Sequence, residues 1–442
     1  MKGLSNLLNP FRVDSERWIF GHPLFRNRVE FTADPERVKE FVRTPFTRSR
    51  MTRDILTRFH LSNHSMVVGD DDHAAFLRKI FRESRPSAAE FIGIARELMD
   101  EVLSMPPDAD DLQIDLSTRL VRATYVSLLS HMLGIELTRP VIDYIRGANI
   151  QPGSRPLQMD GVLYVLGTVF PRWAPMREII DILVYRGERR SRVISGEMER
   201  LIFQYAVPRG PNTWYAALLD LKATRRITSG QFRGELTSMM VSSYSLAAAM
   251  SSMLLCLAAC PQYVEKVRHD PALARCFVNE SLRLYPPFRQ FGYEQQGIWD
   301  LSRRERAKLR STDLFVTTCA LHRNGTVWEE PDEFRPERFL SPDATRGKKF
   351  IPFGMGRRAC SGRQYASQLL YRVLSYVCSE ECDVTLALPD DFERDAHGLP
   401  ISHTGCLVAF PVDDRVLLEK KAHTPLPLHN TQQEPERTPC TT

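Results

Sequence analysis

The chain has 442 residues, of which 43% are hydrophobic and 26% are charged. This composition is typical of a globular protein with a sizeable core and excludes an intrinsically disordered chain. The net charge of +5 comes from interspersed acidic and basic residues. The basic clusters lack interleaved aromatic residues, so nucleic acid is not an expected partner.

The cysteines indicate a reducing environment. There are nine, an odd number at irregular spacings with no C-x-x-C pair, so a disulfide framework is not expected. The first twenty residues contain neither the apolar core of a signal peptide nor a run long enough to anchor in a membrane. We therefore expect a soluble, cytoplasmic protein with no membrane anchor.

In chain order, the hydrophobic pattern predicts mostly helices with a minor set of short strands. A strand is expected at Val29–Thr32, followed by a turn at Asp34-Pro35 and a helix. Three further stretches with helical periodicity lie within residues 73–135. The middle segment, residues 150–207, is interrupted by prolines, which favours short helices and loops.

The longest predicted helix runs from Gly230 to Cys260. It is apolar over most of its length, and it is long enough to cross a membrane. Several serines and a tyrosine interrupt it, which favours a buried central helix over a membrane span.

The last third of the chain is expected to begin with a helix that ends at Pro286-Pro287. Strand-like pieces follow, including the stretch 313–322, and another helix begins after Cys360. Residues 424–442 are polar and proline-rich, and we expect them to form a disordered tail.

A single cysteine lies in the stretch FIPFGMGRRACSGRQYA, residues 350–366. Gly354 and Gly356 allow the backbone to pass close to a large flat group. Cys360 precedes a predicted helix, whose dipole favours the thiolate, and Arg358 adds positive charge. Backbone N–H groups near the sulfur can tune an iron ligand. The stretch predicts a thiolate ligand for iron, and the plainer alternative is a buried cysteine in a glycine-rich turn.

This stretch resembles the haem-binding signature of the cytochrome P450 family, F-x-x-G-x-R-x-C-x-G. Its fixed positions are filled by Phe353, Gly356, Arg358, Cys360 and Gly362. The resemblance covers roughly residues 15–420. It implies a mostly α fold with a minor β portion and a long central helix over the haem. It also implies one haem-thiolate catalytic domain over residues 1–423, with heme b ligated axially through Cys360.

Two further motifs follow the order that the family requires. Glu280 and Arg283 form E-x-x-R, one turn apart on one helix face, and residues 336–339 read P-E-R-F. By the resemblance, Arg338 joins Glu280 and Arg283 in a buried charge cluster behind the haem, which is costly to break from one side. Taken alone, the E-x-x-R spacing is equally consistent with a surface ion pair.

The resemblance also implies basic residues that hold the haem propionates. His73 and Arg78, on an early helix, are candidates, although Leu77 occupies the usual basic position four residues after the histidine. Arg289, after the Pro-Pro turn, and Arg358 are further candidates. The alternative for His73 and Arg78 is a solvated helix face.

Many family members carry A/G-G-x-D/E-T-T/S on the central helix, where the acid and the threonine deliver protons for O–O bond cleavage. By the family's spacing, residues 241–246, VSSYSL, occupy this motif. Tyr244 then replaces the acid and Ser245 the threonine, and both are catalytic candidates. A tyrosine with an ordinary pKa of about 10 relays protons poorly. Either Tyr244 only packs and water or substrate supplies the protons, or the chemistry is altered.

The function implied by the resemblance is a monooxygenase acting on a small apolar organic substrate, such as a natural-product intermediate of secondary metabolism. The altered chemistry would be peroxide-using or redox-neutral, by rearrangement, cyclisation or coupling. A non-enzymatic haem sensor or carrier is the rival from another class, and consumption of an organic substrate would distinguish it.

The expected substrate pocket lies above the haem. Its candidate walls are the loop before His73, the middle segment, the helix face Val241–Ala248 and the segment Ser402–Val408. A separate ferredoxin-like or reductase partner is expected to supply electrons, unless peroxide drives the reaction. Basic residues such as Arg357 and Arg363 on the cysteine side would meet acidic residues of that partner.

Overall fold

The computed structural model describes the residue ranges 18–21, 28–49, 52–53, 66, 71–84, 87–147, 197, 200–298, 300–309, 312–346, 348–402 and 408–421. The predictions for most of the middle segment, for residues 403–407 and for the tail 424–442 lie outside these residues.

Helices dominate the described residues, as the periodicity predicts. The α-helices, numbered in chain order, are α1 (Pro35–Phe41), α2 (Asp71–Glu83), α3 (Ala88–Val102), α4 (Leu116–Ala123), α5 (Leu129–Leu133), α6 (Arg139–Gly147), α7 (Trp214–Ala223), α8 (Ser229–Ala259), α9 (Tyr263–His269), α10 (Pro271–Leu284), α11 (Arg303–Lys308), α12 (Thr318–His322) and α13 (Arg363–Val377). A π-helical turn, Thr124–Leu128, joins α4 to α5. Short 3₁₀ turns lie at Pro336–Leu340, Pro342–Thr345 and Gly356–Arg358.

The strands are short and form three sheets. They are β1 (Trp18–Gly21), β2 (Arg28–Thr32), β3 (Phe46–Arg48), β4 (Asp111–Asp115), β5 (Ile135–Glu136), β6 (Val207–Pro208), β7 (Gln290–Gln295), β8 (Asp313–Thr317), β9 (Val384–Ala387) and β10 (Arg415–Lys420). The largest sheet has the order β1-β2-β8-β7-β3, and the others are β4-β10-β9 and β5-β6. Within the largest sheet, β2 pairs parallel with β8, so that Val29 lies opposite Asp313.

Local signals set the helix ends. Asp34 caps α1 by accepting a hydrogen bond from the Glu36 N–H at 2.9 Å, and Pro35 occupies the first helical position. A capping box between Thr228 and Gln231 begins α8. One prediction was wrong in part: the strand-like stretch 313–322 is strand only to Thr317 and then turns into α12.

Helix α8 crosses the centre of the protein and contacts α4, α10 and α13. It is long and apolar enough to span a membrane by length and composition, and 78% of its most apolar window is buried inside the protein. Its serines are compatible with this burial because they bond to the carbonyl one turn earlier, as Ser238 does to Gly234 at 2.9 Å and Ser242 does to Ser238 at 2.8 Å.

The predicted charge cluster is present at the end of α10. Glu280 Oε1 accepts a hydrogen bond from Arg283 Nη2 at 2.8 Å and another from Arg338 Nε at 3.1 Å. Arg283 also donates to the backbone carbonyls of His322 and Pro331. The cluster therefore fixes α10 against the chain segments that lead to the cysteine stretch.

Candidate active site

A large cavity lies between the middle of α8 and the cysteine stretch. It encloses about 1510 Å³, including its open mouth. The α8 side is formed by Ser238, Met239, Val241, Ser242, Ser245, Leu246 and Ala249, and the opposite side includes Pro352, Phe353 and residues 358–362.

The cysteine stretch is shaped as a tight loop held against the largest sheet. Cys360 N–H donates to the Phe353 carbonyl at 2.9 Å, which closes the loop. The hydroxyl of Tyr293, on β7, accepts from the Met355 N–H at 3.0 Å. Gly356 has a φ of +64°, and a Cβ there would come within 2.3 Å of the Phe46 ring on β3. The glycine at this position thus lets the loop lie directly on the sheet edge.

Cys360 is open to the cavity and lies two residues before the N-cap of α13, Gly362. Burial raises the pKa of its thiol above the ordinary value. The Gly362 N–H and the nearby Arg78, Arg48 and Arg363 act in the opposite direction and favour the thiolate. The surroundings therefore offer positive charge to a sulfur ligand that exchanges its proton for a metal.

Three arginines face the same cavity from different elements: Arg48 from β3, Arg78 from α2 and Arg358 from the cysteine loop. Arg48 has a buried Nε without a hydrogen-bond partner. Burial lowers the pKa of Arg48 to about 10, and repulsion from Arg358 and Arg78 contributes in the same direction. Three like charges around one cavity call for an anionic ligand, and the two carboxylates of a haem fit this arrangement.

Two of the four predicted basic residues line the cavity. Arg358 and Arg78 line the cavity, and Arg78 also donates to the Arg357 carbonyl of the cysteine loop. His73 instead approaches the side chain of Gln231 at 3.5 Å, and Arg289 donates from Nε to Cys319 Sγ at 3.1 Å. Neither His73 nor Arg289 is among the described residues that line the cavity.

Sequence reasoning missed Arg48. It lies in a three-residue strand with no motif around it. Its place at the cavity depends on the pairing of β3 with β7, in which Arg48 lies opposite Tyr293. No local signal in the sequence indicates a pairing between segments so far apart.

The two catalytic candidates on α8, Ser245 and Tyr244, lie in different surroundings. Ser245 lines the cavity, and its hydroxyl donates to the Ser242 carbonyl at 2.9 Å. Tyr244 is absent from the described cavity lining, and its ring lies against the Phe410 ring with centroids 4.9 Å apart. Of the two candidates, only Ser245 therefore lies in the described wall of the cavity.

Comparisons with known proteins agree with this site. Residues 72–377, more than half of the chain, match the family model described as cytochrome P450. Vinorine hydroxylase of Rauvolfia serpentina is 40% identical over 102 residues, which is 22% of this chain and 21% of that protein. Human steroid 17-alpha-hydroxylase/17,20 lyase is 32% identical over 138 residues, 30% of this chain and 26% of that protein.

A longer match is to the cytochrome P450 monooxygenase dpfgJ of Gibberella zeae, which is 28% identical over 228 residues. These residues make up 43% of this chain and 45% of that protein. The chain thus spans between about a fifth and under half of the length of these three relatives. The match over 72–377 includes α8, the charge cluster and Cys360 at the cavity, and the chain belongs to the cytochrome P450 family.

Proposed function

We propose that the protein is a haem-thiolate monooxygenase that oxidises a small apolar organic molecule. Family membership implies a haem whose iron is ligated by a cysteine thiolate. The observation that carries the proposal is that Cys360 and the α8 residue Ser245 line the same large cavity. We assign the cofactor as heme b and the axial ligand as Cys360.

The haem supplies iron chemistry with dioxygen, and the chain supplies its binding and surroundings. Arg48, Arg78 and Arg358 would hold the carboxylates through charge-assisted hydrogen bonds. The Gly362 N–H donates to Cys360 sulfur and keeps negative charge on it. Ser245 places a hydroxyl at the α8 face, where it can hold or pass a proton.

The cavity lining supports an apolar substrate. Many of the side chains that line it are aliphatic or aromatic, such as Phe81, Leu246, Ala249 and Phe288. Apolar surface of this kind binds ligands by removing them from water. Some relatives carry the names vinorine hydroxylase and nicotine N-demethylase, and these names support a natural-product intermediate as the substrate class.

A second candidate is a peroxide-using or redox-neutral reaction of the same haem-thiolate site. No described residue of the cavity lining is an Asp or Glu, and the Ser245 hydroxyl is directed to the Ser242 carbonyl. Both features weaken the delivery of protons to bound dioxygen. A reaction with added peroxide, or a rearrangement, depends less on this delivery. A non-enzymatic haem carrier would convert no substrate, so the formation of a product distinguishes an enzyme from it.

For the monooxygenase, we propose a separate electron-transfer partner, ferredoxin-like or a reductase. Arg357 and Arg363 are exposed on the cysteine side of the cavity, where they can attract an acidic surface.

The first test is the spectrum of the reduced carbon monoxide complex. Wild-type protein should show the red-shifted Soret band of thiolate ligation, and Cys360→His should lose it. Cys319→Ser is the matched control, because Cys319 is also a free cysteine but lies outside the described cavity lining. A band that survives in Cys360→His, or a wild type that holds no haem after reconstitution, would contradict the assignment.

The second test follows substrate chemistry. A panel of apolar compounds is screened for shifts of the ferric spectrum, and a compound that binds is then incubated with dioxygen and a surrogate electron donor. A product with one added oxygen atom supports the monooxygenase. Product formed only with peroxide, or formed without electron consumption, would favour the second candidate.

A further inference from the structure

Glu235 lies on α8, one turn before the first α8 residue that lines the cavity, Ser238. It is fully buried. Positions 235, 238, 242 and 245 recur at helical spacing, so Glu235 belongs to the same stripe of α8 as three residues of the cavity wall. A buried carboxyl at such a position needs a physical explanation, because burying an acid is costly without a partner.

Only one of the two oxygens of this carboxyl has a described hydrogen-bond partner. Its Oε1 accepts a hydrogen bond from the Met66 backbone N–H. Its Oε2 is also buried, and no described residue donates a hydrogen bond to it. An unpaired buried acceptor calls for a physical explanation, since most such atoms are paired.

The hydrogen-bond partner of Glu235 is itself part of the cavity. The Met66 side chain lines the cavity, and its sulfur accepts from the Ser361 hydroxyl at 3.5 Å, next to Cys360. Methionine has a flexible side chain that repacks readily around ligands. Met66 thus contacts the Glu235 carboxyl through its backbone N–H and the cavity through its side chain.

The charges around the cavity define what Glu235 can bind. The three arginines that line the cavity would face the two carboxylates of the haem, and the described lining contains no acid. Burial raises the pKa of Glu235 to about 8, and the Met66 N–H, which lowers it, is the one other described influence. A positively charged ligand group near Oε2 would supply the missing donor and favour the ionised carboxylate.

We propose that Glu235 is a substrate-recognition residue that pairs with a basic nitrogen of the substrate. The inference rests on the proposed monooxygenase function and narrows its substrate class to apolar molecules that carry one amine. The ammonium donates to Oε2, while the apolar body of the substrate lies along the Met239 and Leu246 side of the cavity. The neutral carboxyl loses its proton to solvent when the ion pair forms.

The experiment compares two probes that differ in one atom. N,N-dimethyldecylamine carries a tertiary nitrogen that is too hindered to ligate iron well, and the branched alkane with CH in place of nitrogen is its neutral counterpart. Binding of each to the haem-loaded protein is measured by calorimetry. Wild-type protein should bind the amine at least tenfold more tightly than the alkane.

Glu235→Gln is the decisive variant, because glutamine keeps an oxygen for the Met66 N–H but cannot carry the charge. The amine preference should fall to within about twofold in this variant, with alkane binding unchanged. Glu265→Gln, the same substitution at an exposed glutamate of α9 outside the described cavity lining, is the matched control and should keep the preference. A preference that persists in Glu235→Gln, or that is absent from the wild type, would overturn the inference.

A measurement on the wild type covers the case in which Glu235→Gln does not fold. Calorimetry in buffers of different ionisation enthalpy should show release of about one proton per bound amine near neutral pH. Amine binding without proton release would overturn the inference. In every preparation the carbon monoxide band is recorded first. If the band is present and the amine preference is missing, the recognition role of Glu235 fails while the haem-thiolate function stands.

Discussion

Arg283 donates two hydrogen bonds to Glu280 one helical turn earlier, at 2.7 and 2.8 Å, and neither side chain is exposed to solvent. Arg338 adds a third hydrogen bond to the same carboxylate, at 3.1 Å from its Nε. One buried carboxylate thus serves two guanidinium groups. Burial of this kind stabilises the protein only while every partner is present.

Loss of the Glu280 carboxylate should therefore prevent stable folding around the haem. We expect Glu280→Ala to lower the free energy of unfolding by about 3–5 kcal/mol and to reduce haem content sharply, because it leaves Arg283 without its counter-charge. Asp343→Ala is the control, since Asp343 pairs with Arg346 in an exposed ion pair that contributes about 1 kcal/mol or less. Both variants are compared with wild type by denaturant unfolding and by their haem content. A fully loaded, stable Glu280→Ala protein would show that the cluster is dispensable.

Replacing Arg48 should weaken the binding of haem but stabilise the haem-free protein. Arg48→Met keeps most of the side-chain length but removes one of three cationic groups at the cavity. Haem transfer to an acceptor protein should become about tenfold faster or more, because a hydrogen bond to a charged group contributes about 1.5–3 kcal/mol. The haem-free protein should become more stable, since Arg48 is repelled by Arg78 and Arg358.

The matched control for Arg48 is Arg43→Met, which removes an exposed arginine from the same chain segment. Neither haem transfer nor the stability of the haem-free protein should change in this variant. Equal rates of haem loss from wild type and Arg48→Met would contradict a role in holding the cofactor.

We expect different results for Ser245 and Tyr244, which are neighbours on α8. Ser245→Ala should lower product formed per electron consumed by about tenfold or more, because it removes a hydroxyl from the cavity wall. Tyr244→Phe should leave this ratio within about twofold, since the ring packs against Phe410. Coupling is measured with a substrate from the spectral screen. If Ser245→Ala leaves coupling intact, the proton comes from water or from the substrate.

His322 gives the protein a specific sensitivity to acid. Its Nε2 accepts from the Ile351 N–H at 2.9 Å, and its Nδ1 lies 3.1 Å from the Arg283 carbonyl, to which it donates. This neutral ring has both nitrogens engaged. Burial and the charge of Arg283 lower its pKa to about 3, from an ordinary value of 6.5.

Because the folded state holds His322 neutral, its contribution to stability is complete above pH 6.5 and is lost as pH falls toward about 3. At pH 5 the loss should reach about 2 kcal/mol. His322→Gln should have lower stability overall but a flatter profile between pH 6.5 and 5. Subtracting the two profiles isolates His322, since Glu235 titrates in both proteins. Parallel profiles would contradict a neutral, buried ring.

Local signals in the sequence were enough to predict the elements that carry the site. Helix α8 spans Ser229–Ala259, within one residue of the prediction at each end, because its apolar run and its capping residues are local. The strand at β2 and the helix after Asp34-Pro35 follow from the same kind of signal. The sheet β4-β10-β9 was not predicted, because it joins residues 111–115 to residues 415–420.

The candidate site shows the same contrast between residues predicted from local signals and residues placed by tertiary contacts. Cys360, Gly356 and Arg358 belong to one contiguous motif, and the structure brings them together at the cavity. The basic residues that reach the cavity from elsewhere were only partly predicted, since their positions depend on tertiary contacts. Arg78 reaches the cysteine loop, whereas His73, five residues earlier on α2, approaches Gln231 instead.

The parallel pairing of β2 with β8 also has a consequence for synthesis of the chain. Val29 and its partner Asp313 are 284 positions apart. At about 5–20 residues per second, a ribosome needs about 15–60 s to make the intervening chain. Throughout this time β2 exposes Phe31, which is buried in the finished fold, and the unpaired backbone of its neighbours. Chaperones that shield short apolar strands should therefore associate with the N-terminal part of the nascent chain until β8 has emerged.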